Sequence, residues 1–202
     1  MIRTFLAVEL SQKLRAELAT VQQELKHKIE PEMKRDTRIS WAKPASIHLT
    51  IKFLGDMDEK VIDPMLVAVE QAIGRRIAMT VPLERLGVFP RPQCPRVLWV
   101  GPSEDWERGA EGRRIAEIHG AIEEACEGLR FLRETKPFSS HLTLARIKAG
   151  ERQVGVALAK DEVLNRPLSL GSLAVESIVL MRSELNPTGS IYTKLWDVRL
   201  RG

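Results

Sequence analysis

Three stretches of the chain repeat their hydrophobic positions with a helical period. Apolar side chains recur in them every three or four residues, which places them on one face of a helix. Ser11 is suited to cap the first helix, and the turn at 56–58 to cap the second. We therefore expect helices from Ser11 to about His27, at 59–74 and at 105–128, with apolar faces formed by Leu14, Leu18, Val21 and Leu25, by Val61, Met65, Val69 and Ile73, and by Ile115, Ile118, Ile122 and Ala125.

Shorter stretches rich in β-branched, aromatic and other apolar residues predict strands. The polar segment 28–43 contains Pro31 and ends in an apolar patch at 39–41, so it is typical of a surface loop that leads into a strand. A turn is expected at 186–189. The predicted strands are Arg3–Leu10, Ile47–Leu54, Ile77–Phe89, Arg96–Val100, Phe138–Ile147, Leu170–Met181 and Ile191–Leu200, which together with the helices indicate an α+β fold.

An internal repeat is the most informative feature of the sequence. Residues 43–50 read KPASIHLT and residues 136–143 read KPFSSHLT, so six of eight positions are identical. Each copy leads into a predicted strand after a helix and a loop, as a duplicated β/α unit of about 90 residues would. We therefore expect a single domain over 1–202 with two related lobes and antiparallel sheets. A pseudo-two-fold axis would leave a central cleft, into which each lobe contributes one motif, 48–51 and 141–144.

The repeated His-Leu-Thr triplet is suited to acid–base chemistry on a phosphodiester. In a strand, residues i and i+2 point to the same face, so His48 would project with Thr50, and His141 with Thr143. A histidine pKa of about 6.5 lets one ring be neutral and the other protonated near neutral pH. The threonine hydroxyls could donate hydrogen bonds to non-bridging phosphate oxygens.

Composition and charge agree with this chemistry without requiring it. The net charge of +4 and the pI near 9.2 are compatible with a polyanionic ligand. The two cysteines have no CxxC spacing, and no run of 18 apolar residues occurs, so we expect a soluble, cytoplasmic monomer that does not contact membranes.

Metal catalysis is disfavoured by the residues around both motifs. No HxH, HExxH or HD pair includes either histidine, and no Asp or Glu lies between Lys43 and Gly55 or between Thr135 and Gly150. We therefore expect no metal and no cofactor. The other two histidines, His27 and His119, lie within the predicted helices and favour surface or helix-packing roles.

At these motifs the chain resembles the two-histidine (2H) phosphoesterase superfamily, which is defined by two His-x-Thr-x motifs. It is most similar to the RNA 2′,3′-cyclic phosphodiesterase branch, also called 2′-5′ RNA ligase. One departure is Ser140, where that branch often has proline. The resemblance covers nearly the whole chain and includes Arg3–Ala7, His48–Gly55, Gly87–Pro90, Pro95–Trp99, Phe138–Arg146 and the strand pair containing Ser183 and Tyr192.

The resemblance implies a bilobal fold and hydrolysis of RNA 2′,3′-cyclic phosphate ends to 2′-phosphomonoesters. It implies that His141 is the proton acceptor that activates water and that His48 is the proton donor to the departing 3′ oxygen. Thr50 and Thr143 would bind the phosphate. The partner would be an RNA with a cyclic phosphate terminus, tRNA fragments and nucleotides included. The two motifs are nearly identical, so their local sequences do not assign the acid and the base.

Three more residues are candidates for substrate binding, and two other functions stay open. Arg146 follows His141 at an odd offset, so it needs a strand end or a bulge to reach the phosphate, and an exposed ion pair is an equally good role. Tyr192 could stack on a base or hydrogen-bond the substrate, and Lys52 could extend the cationic rim of the cleft, or both could be ordinary surface residues. The alternatives are ligation of tRNA halves through a 2′-5′ bond and binding of RNA ends or nucleotides without turnover.

Overall fold

The computed structural model describes residues 1–160, 162–168, 170–186 and 189–202. The strands are β1 (Ile2–Val8), β2 (Arg38–Trp41), β3 (Leu49–Met57), β4 (Met79–Pro82), β5 (Arg85–Phe89), β6 (Val97–Gly101), β7 (Leu142–Ala149), β8 (Ser172–Val175), β9 (Ser177–Asn186) and β10 (Gly189–Arg199). The helices are α1 (Gln12–Ile29), α2 (Ile62–Ile73), α3 (Glu104–Arg108), α4 (Ala110–Gly128) and α5 (Glu151–Lys160).

An antiparallel eight-stranded sheet forms the centre of the molecule, in the order β10-β9-β1-β3-β7-β6-β5, with β2 paired to β7. Strands β3 and β7, which follow the two repeated motifs, meet at the pair Leu49–Leu142. On either side of that pair lie two related halves, which we call lobe 1 (β1, β3, β9 and β10) and lobe 2 (β2, β5, β6 and β7). The α+β class and the two-lobe arrangement predicted from the sequence are confirmed.

The helix that precedes each motif packs against the strand of the other lobe. Helix α4 contacts β3 and α2, whereas α1 contacts α5, which in turn contacts β7. The buried Gln22 of α1 donates hydrogen bonds from Nε2 to the carbonyls of Ala42 and Leu144, both at 2.8 Å. The apolar faces predicted for α1, α2 and α4 supply much of the main core, in which Leu18, Met65 and Ile122 are fully buried.

The predicted helices are present, with corrected boundaries. Helix α1 begins after Ser11, whose hydroxyl accepts a hydrogen bond from the Leu14 N–H at 3.2 Å. The second helix begins at Ile62, after a 3₁₀ turn at Glu59–Val61 that Asp58 caps. The third is divided into α3 and α4, because Gly109 takes an extended conformation between them.

Helix α5 is not among the predicted elements, since the pattern after residue 137 predicts only strands. Its buried residues Val154, Ala157 and Leu158 have helical spacing. The run also contains Gly155, which weakens a helical pattern but is required here, since a Cβ at this position would lie 2.6 Å from the Pro92 carbonyl oxygen.

Two predicted strands are each divided in the structure. The stretch 77–89 forms β4 and β5, and 170–181 forms β8 and the start of β9. Of the turn predicted at 186–189, Pro187 and Thr188 lie outside the described residues. None of the helices in the described part of the chain is long and apolar enough to span a membrane.

Candidate active site

The two repeated histidines lie side by side on one face of the sheet. His48 directly precedes Leu49 and His141 directly precedes Leu142, and these leucines are antiparallel partners. This register sets His48 opposite Thr143 and His141 opposite Thr50, with all four side chains on the same face. The two histidines are then diagonal neighbours, with Cβ atoms roughly 7 Å apart. That spacing leaves room for one phosphate between the rings.

Each imidazole is oriented by the same backbone contact. His48 Nδ1 lies 2.9 Å from the carbonyl oxygen of Ser46, and His141 Nδ1 lies 3.0 Å from that of Ser139. A carbonyl can only accept a hydrogen bond, so Nδ1 carries the proton in both rings. Nε2 is therefore left as the reactive nitrogen, a base when the ring is neutral and an acid when it is protonated. The two serines occupy equivalent positions in the repeat, so both copies of the motif hold their histidine in the same tautomer.

Aromatic side chains enclose both histidines. Phe5 stacks on His48 with ring centroids 4.6 Å apart, and Tyr192 meets the same ring edge-on at 5.2 Å. Phe89 and Trp99 lie 5.0 Å and 6.2 Å from the ring of His141. The rings are held in place, and each is largely removed from water.

This environment lowers the pKa of both histidines. Burial is the main cause for each; the hydrogen bond to the serine carbonyl opposes it, and the charge of Arg146 lowers both pKa values further. The neutral form is thus favoured in the free protein. A bound phosphate dianion or monoanion would act in the opposite direction, because a negative charge between the rings favours the imidazolium.

A β-bulge after each motif decides which side chains face the cleft. On β3, Ala7 pairs with Thr50 and Leu6 with Lys52, so Ile51 has no partner on β1. On β7, Trp99 pairs with Thr143 and Leu98 with Ala145, so Leu144 has no partner on β6. The extra residue reverses the alternation of faces beyond that point. Both copies of the repeat carry the bulge at the same position.

The bulge corrects the prediction for Lys52. In a regular strand this residue would share the face of Thr50, but here it points away from the cleft and is only 1% exposed. Its Nζ donates hydrogen bonds to Glu123 Oε1 at 2.7 Å and to the Leu132 carbonyl oxygen at 2.8 Å. Lys52 therefore does not contribute to the rim of the cleft.

The same device brings Arg146 to the site. The bulge at Leu144 turns Arg146 onto the face of His141 and Thr143, where it is exposed and acts electrostatically on both histidines. Tyr192 also lies at the site, against His48. Thr50 and Thr143 are half-buried on the cleft face.

Phe53, which the sequence pattern did not single out, occupies the position in lobe 1 that Arg146 occupies in lobe 2. Each is the fifth residue after its histidine. Phe53 is 56% exposed and packs against Phe5 at a centroid distance of 6.1 Å. Alignment of the two repeats beyond their threonines would have singled it out.

Other polar clusters offer no alternative centre. Among the residues that the structure describes, no three His, Cys, Asp or Glu side chains lie close enough together to hold a metal ion. His119 stacks on Phe138 and lies 3.6 Å from Glu123, and His27 is bonded to its own helix backbone.

Known proteins are similar to this chain over nearly its whole length. The RNA 2′,3′-cyclic phosphodiesterase of Methanothermobacter thermautotrophicus is 31% identical over 199 residues, covering 98% of this chain and 99% of the relative. The protein of that name from Thermus thermophilus is 34% identical over 212 residues, covering 100% and 91%.

Solved structures share the fold over the full chain. A crystal structure of a Thermus thermophilus protein has a TM-score of 0.73 at 29% identity, covering 100% of this chain and 99% of that one. E. coli LigT, crystallised with 3′-AMP, has a TM-score of 0.73 at 22% identity, with coverage of 100% and 99%. The family model of LigT-like phosphoesterases matches residues 8–99 and 109–192, which include both His-Leu-Thr motifs. This chain therefore belongs to the LigT-like phosphoesterase family.

Proposed function

We propose that this protein hydrolyses RNA 2′,3′-cyclic phosphate ends to 2′-phosphomonoesters by metal-independent acid–base catalysis. The observation that carries the proposal is the pair of histidines on one face, each with Nδ1 bonded to a serine carbonyl and Nε2 left to react. Binding alone does not call for two such nitrogens, since arginine or lysine would hold a phosphate more strongly.

The reaction needs two proton transfers, one for each ring. The oxygen of a water molecule attacks phosphorus and loses a proton to Nε2 of His141, while the bond from phosphorus to O3′ breaks and O3′ takes a proton from Nε2 of His48. The product carries the phosphate on O2′. The hydroxyls of Thr50 and Thr143 donate to the non-bridging oxygens, and the charge of Arg146 offsets the charge that develops there.

Lobe 1 offers a surface for the terminal base. Phe53 is exposed beside Phe5, and Tyr192 forms the adjoining wall. A base stacked on an aromatic ring contributes about 1–3 kcal/mol whatever its identity. We therefore expect weak base preference and a higher KM for Phe53→Ala.

The test is hydrolysis of an oligoribonucleotide with a 2′,3′-cyclic phosphate end, in buffer containing EDTA. His48→Ala and His141→Ala should each reduce turnover by at least about 10² to 10⁴. His27→Ala is the matched control and should retain full activity, because that ring lies on the surface of α1. Near wild-type turnover in a folded His48→Ala or His141→Ala variant, or loss of wild-type turnover with EDTA, would contradict the proposal.

A substrate with sulfur in place of O3′ assigns the acid and the base. A thiolate leaves without needing a proton, so this substrate should restore turnover in His48→Ala and not in His141→Ala. The reverse pattern would exchange the two roles while leaving the two-histidine reaction intact. If the wild-type protein bound the oligonucleotide but left its cyclic phosphate intact, the site would bind RNA ends without turnover.

A further inference from the structure

A cationic groove of about 830 Å³ lies next to the cleft on the lobe 2 side. It is formed by the loop between β5 and β6, by the end of β7 with the first turn of α5, and by the segment that leads into β2. Its charged lining consists of the cations Lys34, Arg91, Arg96 and Arg152 and the carboxylates of Asp36 and Glu151.

The groove begins where the catalytic cleft ends. Pro90, in its wall, directly follows Phe89, whose ring lies 5.0 Å from that of His141. Arg96 directly precedes Val97, the strand partner of Arg146. On β7, Arg146 and Lys148 are both exposed and share a face, and Gly150 in the groove wall lies four residues beyond Arg146, or about 13 Å along the strand. Arg146 and Lys148 thus place positive charge along β7 between the histidines and Gly150, where the strand borders the groove.

The two lobes differ at these equivalent positions. Beyond the bulge, β3 presents Phe53 to the cleft side, whereas β7 presents Arg146 and then Lys148. The aromatic side suits a base and the cationic side suits phosphates. The two copies of the repeat therefore present the same residue types to the reacting phosphate but differ beyond it, with an aromatic ring in lobe 1 and cations in lobe 2.

Most of the positive charge in the groove forms no ion pair with another residue that the structure describes. Arg96 lies 3.7 Å from Glu151. In the described ranges of the chain, no ion pair involves Lys34, Arg91 or Arg152, all of which are exposed. An anion that enters the groove would therefore meet charges that need not first break an ion pair.

The walls of the groove are tied together by buried and polar contacts. Gln153 accepts a hydrogen bond from Thr37 at 2.9 Å and donates one to the Glu32 carbonyl at 2.8 Å, which joins α5 to the segment before β2. Gly155 lets α5 approach the carbonyls of Pro92 and Gln93 on the opposite wall. The groove is thus preformed, which lowers the entropic cost of binding an extended ligand.

We propose that this groove binds the phosphates of a single RNA strand upstream of its cyclic end. The inference rests on the proposed function and extends it: the substrate is an oligonucleotide, with its terminal base on Phe53 and its backbone leaving over Arg146 into the groove. We therefore expect the protein to select RNA by length and not by sequence, because the groove would bind phosphates and not base edges.

The test compares a 2′,3′-cyclic mononucleotide with an oligoribonucleotide ending in the same cyclic nucleotide. Arg91→Gln/Arg152→Gln should lower kcat/KM for the oligonucleotide by roughly tenfold or more and leave the mononucleotide unchanged. The slope of log kcat/KM against log salt for the oligonucleotide should become shallower by about 0.7 for each phosphate that the variant no longer neutralises. Lys13→Gln/Arg75→Gln removes the same charge from exposed positions outside the groove and should change neither substrate.

The results separate this proposal from the proposed function. The groove proposal would be overturned if the groove variant affected both substrates equally, or if the control variant affected the oligonucleotide as much as the groove variant does. Either result would leave the catalytic proposal standing. If the wild-type protein hydrolysed neither substrate, the catalytic proposal would fail. Fluorescence anisotropy with a labelled oligonucleotide carrying a 2′-phosphate would then still test RNA binding in the groove. The groove variant should bind this oligonucleotide with lower affinity than the control variant.

Discussion

The chemistry of the site depends on a few atoms around each imidazole. A serine carbonyl holds the proton on Nδ1, aromatic rings exclude water, and Arg146 adds a positive charge that both histidines sense. Burial alone would favour neutral rings, and the neutral form is what the base requires. The acid must be protonated, and the charge of the substrate phosphate supplies the opposing effect.

Among single residues, Arg146→Gln should shift the pH profile as well as the rate. Burial remains the main cause of the lowered histidine pKa values, but the contribution of Arg146 is removed, so both pKa values should rise. Both limbs of the kcat/KM profile should then move to higher pH. Removing one charged group from the phosphate should also lower kcat/KM by about 10- to 100-fold. Initial rates between pH 5 and 9, with Arg75→Gln as control, check both effects, and unmoved limbs would show that Arg146 does not act on the rings.

At the scale of the elements, each bulge is held by a buried polar residue from the helix that packs behind it. Gln22 of α1 reaches the Leu144 carbonyl on β7, and Glu123 of α4 reaches Lys52 on β3. The second carboxylate oxygen of Glu123 accepts the Glu134 N–H at 3.1 Å, in the segment that leads to His141. One ion pair thereby links the first motif strand to the approach of the second motif.

Removing only one member of this ion pair should lower the free energy of unfolding. Lys52→Met leaves the Glu123 carboxylate buried without its main partner, and loss of one member of a buried pair lowers the free energy of unfolding by about 3–5 kcal/mol. Lys52→Met/Glu123→Gln should recover part of that loss, because no unpaired charge remains and the amide oxygen still accepts from Glu134. Urea denaturation measures both variants, with the exposed Lys13→Met as control. A double variant no more stable than Lys52→Met would contradict this account of the pair.

At the scale of the whole molecule, folding keeps three histidines in environments that disfavour their charged forms. The pKa values of His48, His119 and His141 lie below 6.5, chiefly because of burial. The unfolded chain, with histidine pKa values of about 6.5, therefore binds protons at a higher pH than the native protein.

Stability from these histidines is fully present above pH 6.5 and is lost as the pH falls through the lowered native pKa values. The free energy of unfolding should decrease between pH 7 and pH 5, with a slope of up to about 1.4 kcal/mol per pH unit for each histidine. Urea titrations at several pH values measure this slope. His48→Gln/His141→Gln should flatten it, and an unchanged slope would mean that other groups dominate.

Local patterns in the amino-acid sequence were sufficient to predict three helical regions and to single out four residues of the candidate site. The period of the apolar residues located α1, α2 and the α3–α4 region, because each helix carries its own buried face. The duplicated octapeptide predicted the two lobes and brought His48, Thr50, His141 and Thr143 together, because equivalent strands of a duplicated unit meet at its axis. These inferences need only residues close in sequence and one symmetry argument.

The positions beyond the threonines depend on how distant segments meet in the folded chain. Whether Lys52 or Phe53 faces the cleft depends on a bulge, and a bulge exists only in relation to the register of a neighbouring strand, here β1 for β3 and β6 for β7. Arg146 reaches the site for the same reason. The cationic groove is assembled from three segments distant in sequence. Gly155, which weakens the helical pattern of α5, is explained only by the close approach of that helix to the carbonyls of Pro92 and Gln93. Pairing register and contacts between distant segments are properties of the tertiary structure, so the pattern of any single segment could not predict them.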